Sequence, residues 1–138
     1  MDIADILDLR VIAVVGCSRD ETKDAHLIPK YLKEHGYRII PVNPFADEIL
    51  GVKCYPSLLE MPGDLKRMVD VVDVFRPSKD VPSIVDQAVA LRKEYGTPKV
   101  IWMQLGIVNE EAAGKARDAG IAVIMDRCMK IEHMRLHC

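Results

Sequence analysis

The sequence has no apolar run approaching the roughly 20 residues that a membrane-spanning helix needs. Its first ten residues carry three aspartates and no basic leader, which argues against a secretory signal. It also lacks a basic excess. Charged residues make up 29% of the chain and the net charge is -2, whereas proteins that bind nucleic acid usually carry a surplus of lysine and arginine. No C-x-x-C pair is present. The four cysteines, Cys17, Cys54, Cys128 and Cys138, are scattered along the chain. With 138 residues and 49% hydrophobic content, the chain can build a core without staples, so thiols rather than disulfides are expected. Internal repeats and low-complexity tracts are missing too. These absences leave a cytoplasmic protein with one domain over residues 1–138, and with neither a membrane nor a nucleic acid as its partner.

What is present is an alternation of strand and helix patterns. The run Val11-Ile12-Ala13-Val14-Val15 is continuously apolar and stops at Gly16, as a strand buried on both faces does. Further strands are expected at 37–42, 69–75, 99–103 and 121–125. Helices are expected at 25–35, from about 78 to 95, at 110–119, and more briefly at 2–9 and in the tail from 129. Asp24 and Asn109 stand where helices are capped, and Gly36 and Gly120 where they end. Ser57 and Glu60 have the spacing of a capping box. Five strands joined mostly by helices predict an α/β fold: a Rossmann-like, doubly wound, five-stranded parallel sheet. The expected order is 3-2-1-4-5, with its switch point between the first and fourth strands. Ligands bind such sheets beyond the carboxyl ends of the strands, at the switch point.

That rule selects a handful of segments. Gly16-Cys17-Ser18 follows the first strand, where a small residue lets backbone approach a phosphate and the next helix N-terminus faces the anion. Ser18 adds a hydroxyl, and Arg19 or Lys23 adds charge. With one glycine this is not the G-x-G-x-x-G fingerprint, and an ordinary strand-to-helix turn fits the same residues. Asn43-Pro44 ends the second strand, where nicotinamide dehydrogenases place an acidic residue for the ribose. Asn can hydrogen-bond a ribose or adenine edge, but Asn-Pro is also a common turn initiator. Phe75-Arg76-Pro77-Ser78 ends the third strand, and arginine suits bidentate phosphate contact. Trp102-Met103-Gln104 and Asp126-Arg127-Cys128 close the fourth and fifth.

No catalytic constellation emerges from spacing. Asp70 and Asp73 are three apart within a strand and point to opposite sides. His26 and His35 read as surface helix residues. Cys128, His133, His137 and Cys138 share the tail, but their spacing matches no standard zinc ligand set. Cys17 lies near a helix N-terminus, a setting that lowers thiol pKa, although it also fits as a small packing residue.

The stretches IAVVGCS (12–18), IIPVNP (39–44), GVKCYPSLLEMP (51–62), VDVVDVFRPS, IWMQLGIVNEEAAGKARDAG (101–120) and VIMDRCMKIEH (123–133) together resemble one family. These are the small CoA-binding proteins of the YccU type, related to the N-terminal CoA-binding domain of the succinyl-CoA synthetase alpha subunit. The resemblance covers nearly the whole chain. It implies a coenzyme A site with the phosphates on Gly16 to Arg19 and the adenosine near Asn43-Pro44. Phe75-Arg76-Pro77 and Trp102-Met103-Gln104 would line the rest. Many relatives carry a basic residue soon after the Asn-Pro, whereas here Phe45-Ala46-Asp47 follows; Lys53 or Arg76 would then meet that phosphate. The synthetase's phosphorylated histidine and nucleotide-grasping parts belong to domains that nothing here matches. The expectation is therefore a non-catalytic protein that holds CoA or an acyl-CoA, alone, as a homo-oligomer or beside a protein partner. Cys17 or Cys128 is a candidate for a mixed disulfide with CoA. A nicotinamide-dependent oxidoreductase and an interaction subunit with a vestigial site are the competing readings.

Overall fold

A computed structural model describes residues 1–137. The strands are β1 (Val11–Val15), β2 (Arg38–Val42), β3 (Glu48–Ile49), β4 (Val52–Lys53), β5 (Val71–Val74), β6 (Val100–Met103) and β7 (Ala122–Ile124). The helices are α1 (Ile3–Leu7), α2 (Asp24–Glu34), α3 (Gly63–Lys66), α4 (Val81–Tyr95), α5 (Glu110–Asp118) and α6 (Met129–His137). Each strand expected from the apolar runs forms, the later ones trimmed at their ends. The short β3–β4 hairpin is an addition. Lys23, not Asp24, is the N-cap of α2, and Asp24 is the first helical residue. Asn109 caps α5 as expected, its side chain accepting the Ala112 N–H at 3.0 Å.

The five-stranded sheet is parallel, with the order β2-β1-β5-β6-β7. Counting only these five strands, that is 2-1-3-4-5, which corrects the expected 3-2-1-4-5. Right-handed crossovers permit both orders. They differ in which strand is central. β5 crosses back over β1 and pairs with it, Ile12 opposite Val71 and Val15 opposite Val74. Val71–Val74 is buried along its whole length, as a central strand must be, while the edge strand β2 starts with an exposed Arg38. The switch point therefore lies between β1 and β5.

Alternation along the strands builds two cores. Ala13, Ile40, Val72, Val74, Ile101 and Met103 face α4 and α5. Ile12, Val14, Ile39, Val71, Val100 and Trp102 face the α1, α2 and α6 layer. Two aspartates interrupt the third apolar run, and the structure separates their roles. Asp70 precedes β5, and its carboxylate accepts the N–H groups of Arg10 and Val11 at 3.2 and 3.1 Å, with Lys99 4.0 Å away. Asp73 lies mid-strand, opposite Val14 on one side and Trp102 on the other. It is fully buried, and among the described residues neither carboxylate oxygen has a hydrogen-bond partner. Burial holds its carboxyl well above the usual carboxylate range.

Candidate functional site

At the C-terminal edge of the sheet, over β1, β2 and β5, a cavity of about 720 Å³ opens. Its floor is the junction of two backbones. Gly16 has φ +89°, and a Cβ built on it would sit 2.9 Å from the Phe75 carbonyl oxygen and 3.0 Å from Arg76 Cδ. Both the left-handed conformation and the close approach of the 75–76 segment require glycine here. One glycine is enough for this geometry, so the missing fingerprint is no obstacle to a phosphate-sized opening.

The loop after Gly16 is braced from two sides. The Asn43 side-chain amide donates to the Cys17 carbonyl at 2.9 Å, and its Oδ1 accepts the Phe45 N–H at 2.8 Å. His26 Nδ1 lies 2.7 Å from the Ser18 carbonyl, which can only accept, so Nδ1 carries the proton. His26 is buried, which corrects its reading as a surface residue. Its role is to fix the loop from the first turn of α2. Asn43 likewise spends its amide largely on the scaffold while it lines the cavity.

The walls combine Ser18, Lys23, Asn43 and Pro44 with Arg76, Lys79, Ser83 and Gln87. Three cations, Lys23, Arg76 and Lys79, face one carboxylate, Asp80. Arg76 and Asp80 form a partly exposed ion pair at 2.8 Å. The site is thus locally cationic in a chain of net charge -2. The N-terminal turn of α2 adds amides that the helix itself leaves unpaired. Phe45 stands at the rim and is 83% exposed, an unusual placement for a phenylalanine.

The predicted residues divide cleanly. Gly16, Ser18, Lys23, Asn43, Pro44, Phe75 and Arg76 line this cavity. Cys17 does not. Its side chain is turned into the core, and burial pushes its thiol up to about 12. Arg19 is exposed, and neither it nor Pro77 lines the cavity. Ser78 is occupied elsewhere: its Oγ accepts the Val108 N–H and its carbonyl accepts the Asn109 amide, both at 3.0 Å. Trp102 and Met103 are wholly buried. Strand alternation turns their side chains into the two cores, and Trp102 Nε1 donates to the Arg127 carbonyl at 2.8 Å. Gln104 lines a second, smaller cavity, and its Oε1 accepts the Met129 N–H at 3.0 Å. Lys53 lies outside the cleft with its ammonium over the Tyr55 ring. Ser57, Lys79, Ser83 and Gln87 were missed. Gln87 Oε1 accepts the Leu58 N–H at 3.2 Å and ties the 55–58 loop to α4. The stretch GVKCYPSLLEMP, which contains this loop, entered only as part of the family resemblance, and no spacing tied it to α4.

Among the described residues no group of histidine, cysteine and carboxylate side chains is arranged to hold a metal. His35, His133 and His137 pack ring against ring near Tyr31. Cys138, the last of the four tail residues weighed as zinc ligands, lies outside the described residues. No described helix is long and apolar enough to cross a membrane.

Comparison with known proteins agrees with this geometry. The family model described as a CoA binding domain matches residues 10–134. The chain is 43% identical over 122 residues to the uncharacterized protein YneT of Bacillus subtilis, covering 88% of this chain and 84% of that one. It is 33% identical over 116 residues to the alpha subunit of acetate–CoA ligase (ADP-forming) II of Pyrococcus furiosus, covering 83% of this chain but 24% of the subunit. Among solved structures, a hypothetical protein from Pyrococcus horikoshii superposes with TM-score 0.89 at 42% identity, covering 99% of this chain and 91% of that one. The cationic cleft, the glycine-floored loop and these matches converge on one assignment: the chain belongs to the CoA-binding domain family.

Proposed function

We propose that this protein is a non-catalytic, cytoplasmic CoA-binding module formed by a single domain. The observation that carries the reading is a cationic cleft at the β1/β5 switch point of an otherwise acidic protein. The pyrophosphate rests on Gly16, Ser18 and the first turn of α2, with Lys23 beside it. Arg76 and Lys79 take the remaining phosphate charge, which replaces the basic residue absent after Asn43-Pro44. Phe45, so exposed in the free protein, covers one face of the adenine. The cleft supplies donors, charge and a stacking surface, but no activated nucleophile. The Cys17 thiol beneath it is pushed up to about 12 and buried. The chain spans about a quarter of the Pyrococcus ligase subunit, and in our reading it keeps that region's ligand and not the ligase reaction.

Isothermal titration with CoA, dephospho-CoA, NAD and NADP tests this. CoA should bind at least tenfold more tightly than either nicotinamide nucleotide, and the affinity should fall steeply with salt, as charge-driven binding does. Tight NAD binding without CoA binding would favour an oxidoreductase. No binding of any nucleotide would favour an interaction subunit with a vestigial site.

A further inference from the structure

A second cavity, of about 380 Å³, opens on the same sheet edge, and Phe75 lines both. The two also share the first turn of α2, with Ala25 in the first and Asp24 in the second. Their chemistry differs. The second is walled mainly by hydrocarbon, from Leu27, Ile28, Phe75, Leu105, Ile107 and Ile131. Three of these are left unusually open: Leu27 is 41% exposed, Leu105 66% and Ile131 44%. Asp24 and Lys130 carry opposite charges, and Gln104 is held by the Met129 N–H. Nothing in this cavity concentrates positive charge, so it does not suit a phosphate. Exposed apolar side chains gathered around a concavity are a binding feature, since water is a poor occupant of such a site.

A polyanion-binding cleft beside an apolar cavity, with a shared wall, has the polarity profile of an acyl thioester of CoA. The charged nucleotide lies at one end, the acyl chain at the other, and a flexible pantetheine arm joins them. We infer that the second cavity is an acyl chamber and that this protein prefers acyl-CoA thioesters with a short or medium aliphatic chain over free CoA. The inference rests on the CoA reading of the first cavity and adds the class of ligand. The volume lies near the lower end of the roughly 300–1,000 Å³ typical of small-molecule pockets. That is ample room for a short or medium aliphatic chain. Cys128 forms part of the chamber wall and is 9% exposed, so its thiol reports on occupancy. Of the two thiols considered for contact with CoA, Cys17 is enclosed and Cys128 is the one a ligand tail reaches.

The test titrates free CoA, acetyl-CoA, butyryl-CoA and hexanoyl-CoA. Fully burying one methylene is worth about a fourfold change in affinity. Hexanoyl-CoA should therefore bind at least about tenfold more tightly than acetyl-CoA, even with part of the chain left in water. Ile131→Asn and Leu105→Asn alter exposed residues of the rim without adding charge, and should reduce this gain to about twofold or less while leaving free CoA affinity unchanged. In parallel, maleimide labelling of Cys128, mapped by peptide mass, should slow at least fivefold under saturating hexanoyl-CoA and little under free CoA. A flat acyl series beside firm CoA binding overturns the acyl chamber and leaves the CoA reading standing. So does a gain that survives both rim variants, or equal labelling with and without the acyl chain. Failure of every CoA compound to bind overturns both readings together.

Discussion

The two cavities share one sheet edge and one phenylalanine, yet they are built differently. Over β1 and β5 the edge is open, because strand order reverses there and the connections leave in opposite directions. Over β6 the edge is largely filled. Arg127 donates its backbone N–H to Met103 at 3.4 Å and accepts the Trp102 indole at 2.8 Å. Asp126, at φ +58°, accepts the Gly106 N–H at 2.7 Å and draws the turn after β6 against the segment after β7. A parallel sheet thus offers its whole C-terminal edge, and the segments that fold back over it decide which part stays available. On the open half, residues at strand ends face a ligand-sized space. On the β6 half, Trp102 and Met103 serve as core, and only residues beyond the strand end, from Gln104 onward, line the smaller cavity.

The sharpest way to break this contrast is at Trp102. It is wholly buried and hydrogen-bonded, so Trp102→Ala should cost about 3–5 kcal/mol of stability. Urea denaturation measures the loss. In the fraction that remains folded, CoA affinity at the β1/β5 cleft should stay within about twofold of wild type. A large loss of affinity with a small loss of stability would place Trp102 in the site after all.

Asp73 lies at the divide, with Val14 of the open half on one side and Trp102 of the filled half on the other. Its folded carboxyl is raised above its unfolded value by burial. Whatever stability its protonated form contributes is fully present below the unfolded pKa of about 4, and is lost as pH rises towards the folded pKa. Asp73→Asn keeps the shape and cannot ionise. Its stability relative to wild type should therefore climb with pH above about 4, by up to about 1.4 kcal/mol per unit until the folded pKa is reached. Denaturation curves of both proteins between pH 4 and 8 provide the check. Parallel pH dependences would mean that Asp73 finds a partner in solution.

Gly16 tests the open half. Gly16→Ala places a Cβ 2.9 Å from the Phe75 carbonyl oxygen, a backbone atom, at φ +89°. The left-handed conformation alone costs about 1–2 kcal/mol, and the 75–76 segment must also shift. CoA affinity should fall at least tenfold. Gly51→Ala is the control: its φ is +72°, but nothing lies within 4 Å of the added carbon. It should lose about as much stability to strain and leave CoA affinity unaltered. Equal affinities for the two variants would remove Gly16 from the proposed phosphate site.

These contrasts also explain how much the sequence disclosed. The continuous run of Val11 to Val15 and the glycine after it mark a buried strand and the turn that lines the cavity, because both are local. Lys23 and Arg76, which line the cavity, are local in the same way, since each stands next to an element boundary. Strand order was not legible, because the pairing of Val71 with Ile12 spans α2, β2, the β3–β4 hairpin and α3, and both candidate crossovers have the same hand. Trp102 and Met103 were misplaced because strand period fixes alternation but not which neighbour covers the strand end. His26 looked like a surface residue until the fold brought the Ser18 carbonyl to its Nδ1. Ser83 and Gln87 share a face of α4, which the helical period shows, but what that face meets depends on the 55–58 loop.

The smallest effect concerns Asp80, among the described residues the one carboxylate beside the cations of the open cleft. It pairs with Arg76, four residues before it, at 2.8 Å, and both side chains are substantially exposed. Such a pair contributes little to stability, so Asp80→Asn should change it by less than about 0.5 kcal/mol. Its effect on binding has a definite sign. Removing the carboxylate releases Arg76 and makes the cleft more cationic, so CoA should bind about two- to threefold more tightly at low ionic strength. Screening acts on charges at this exposure, and the gain should vanish as salt approaches 0.5 M, where the Debye length is only about 4 Å. Dephospho-CoA carries less charge and should gain less than CoA. A gain that ignores salt, or that is equal for both ligands, would mean that the phosphates do not lie against Arg76. The charge balance of the cleft would then be a feature of the helix start, not of the ligand.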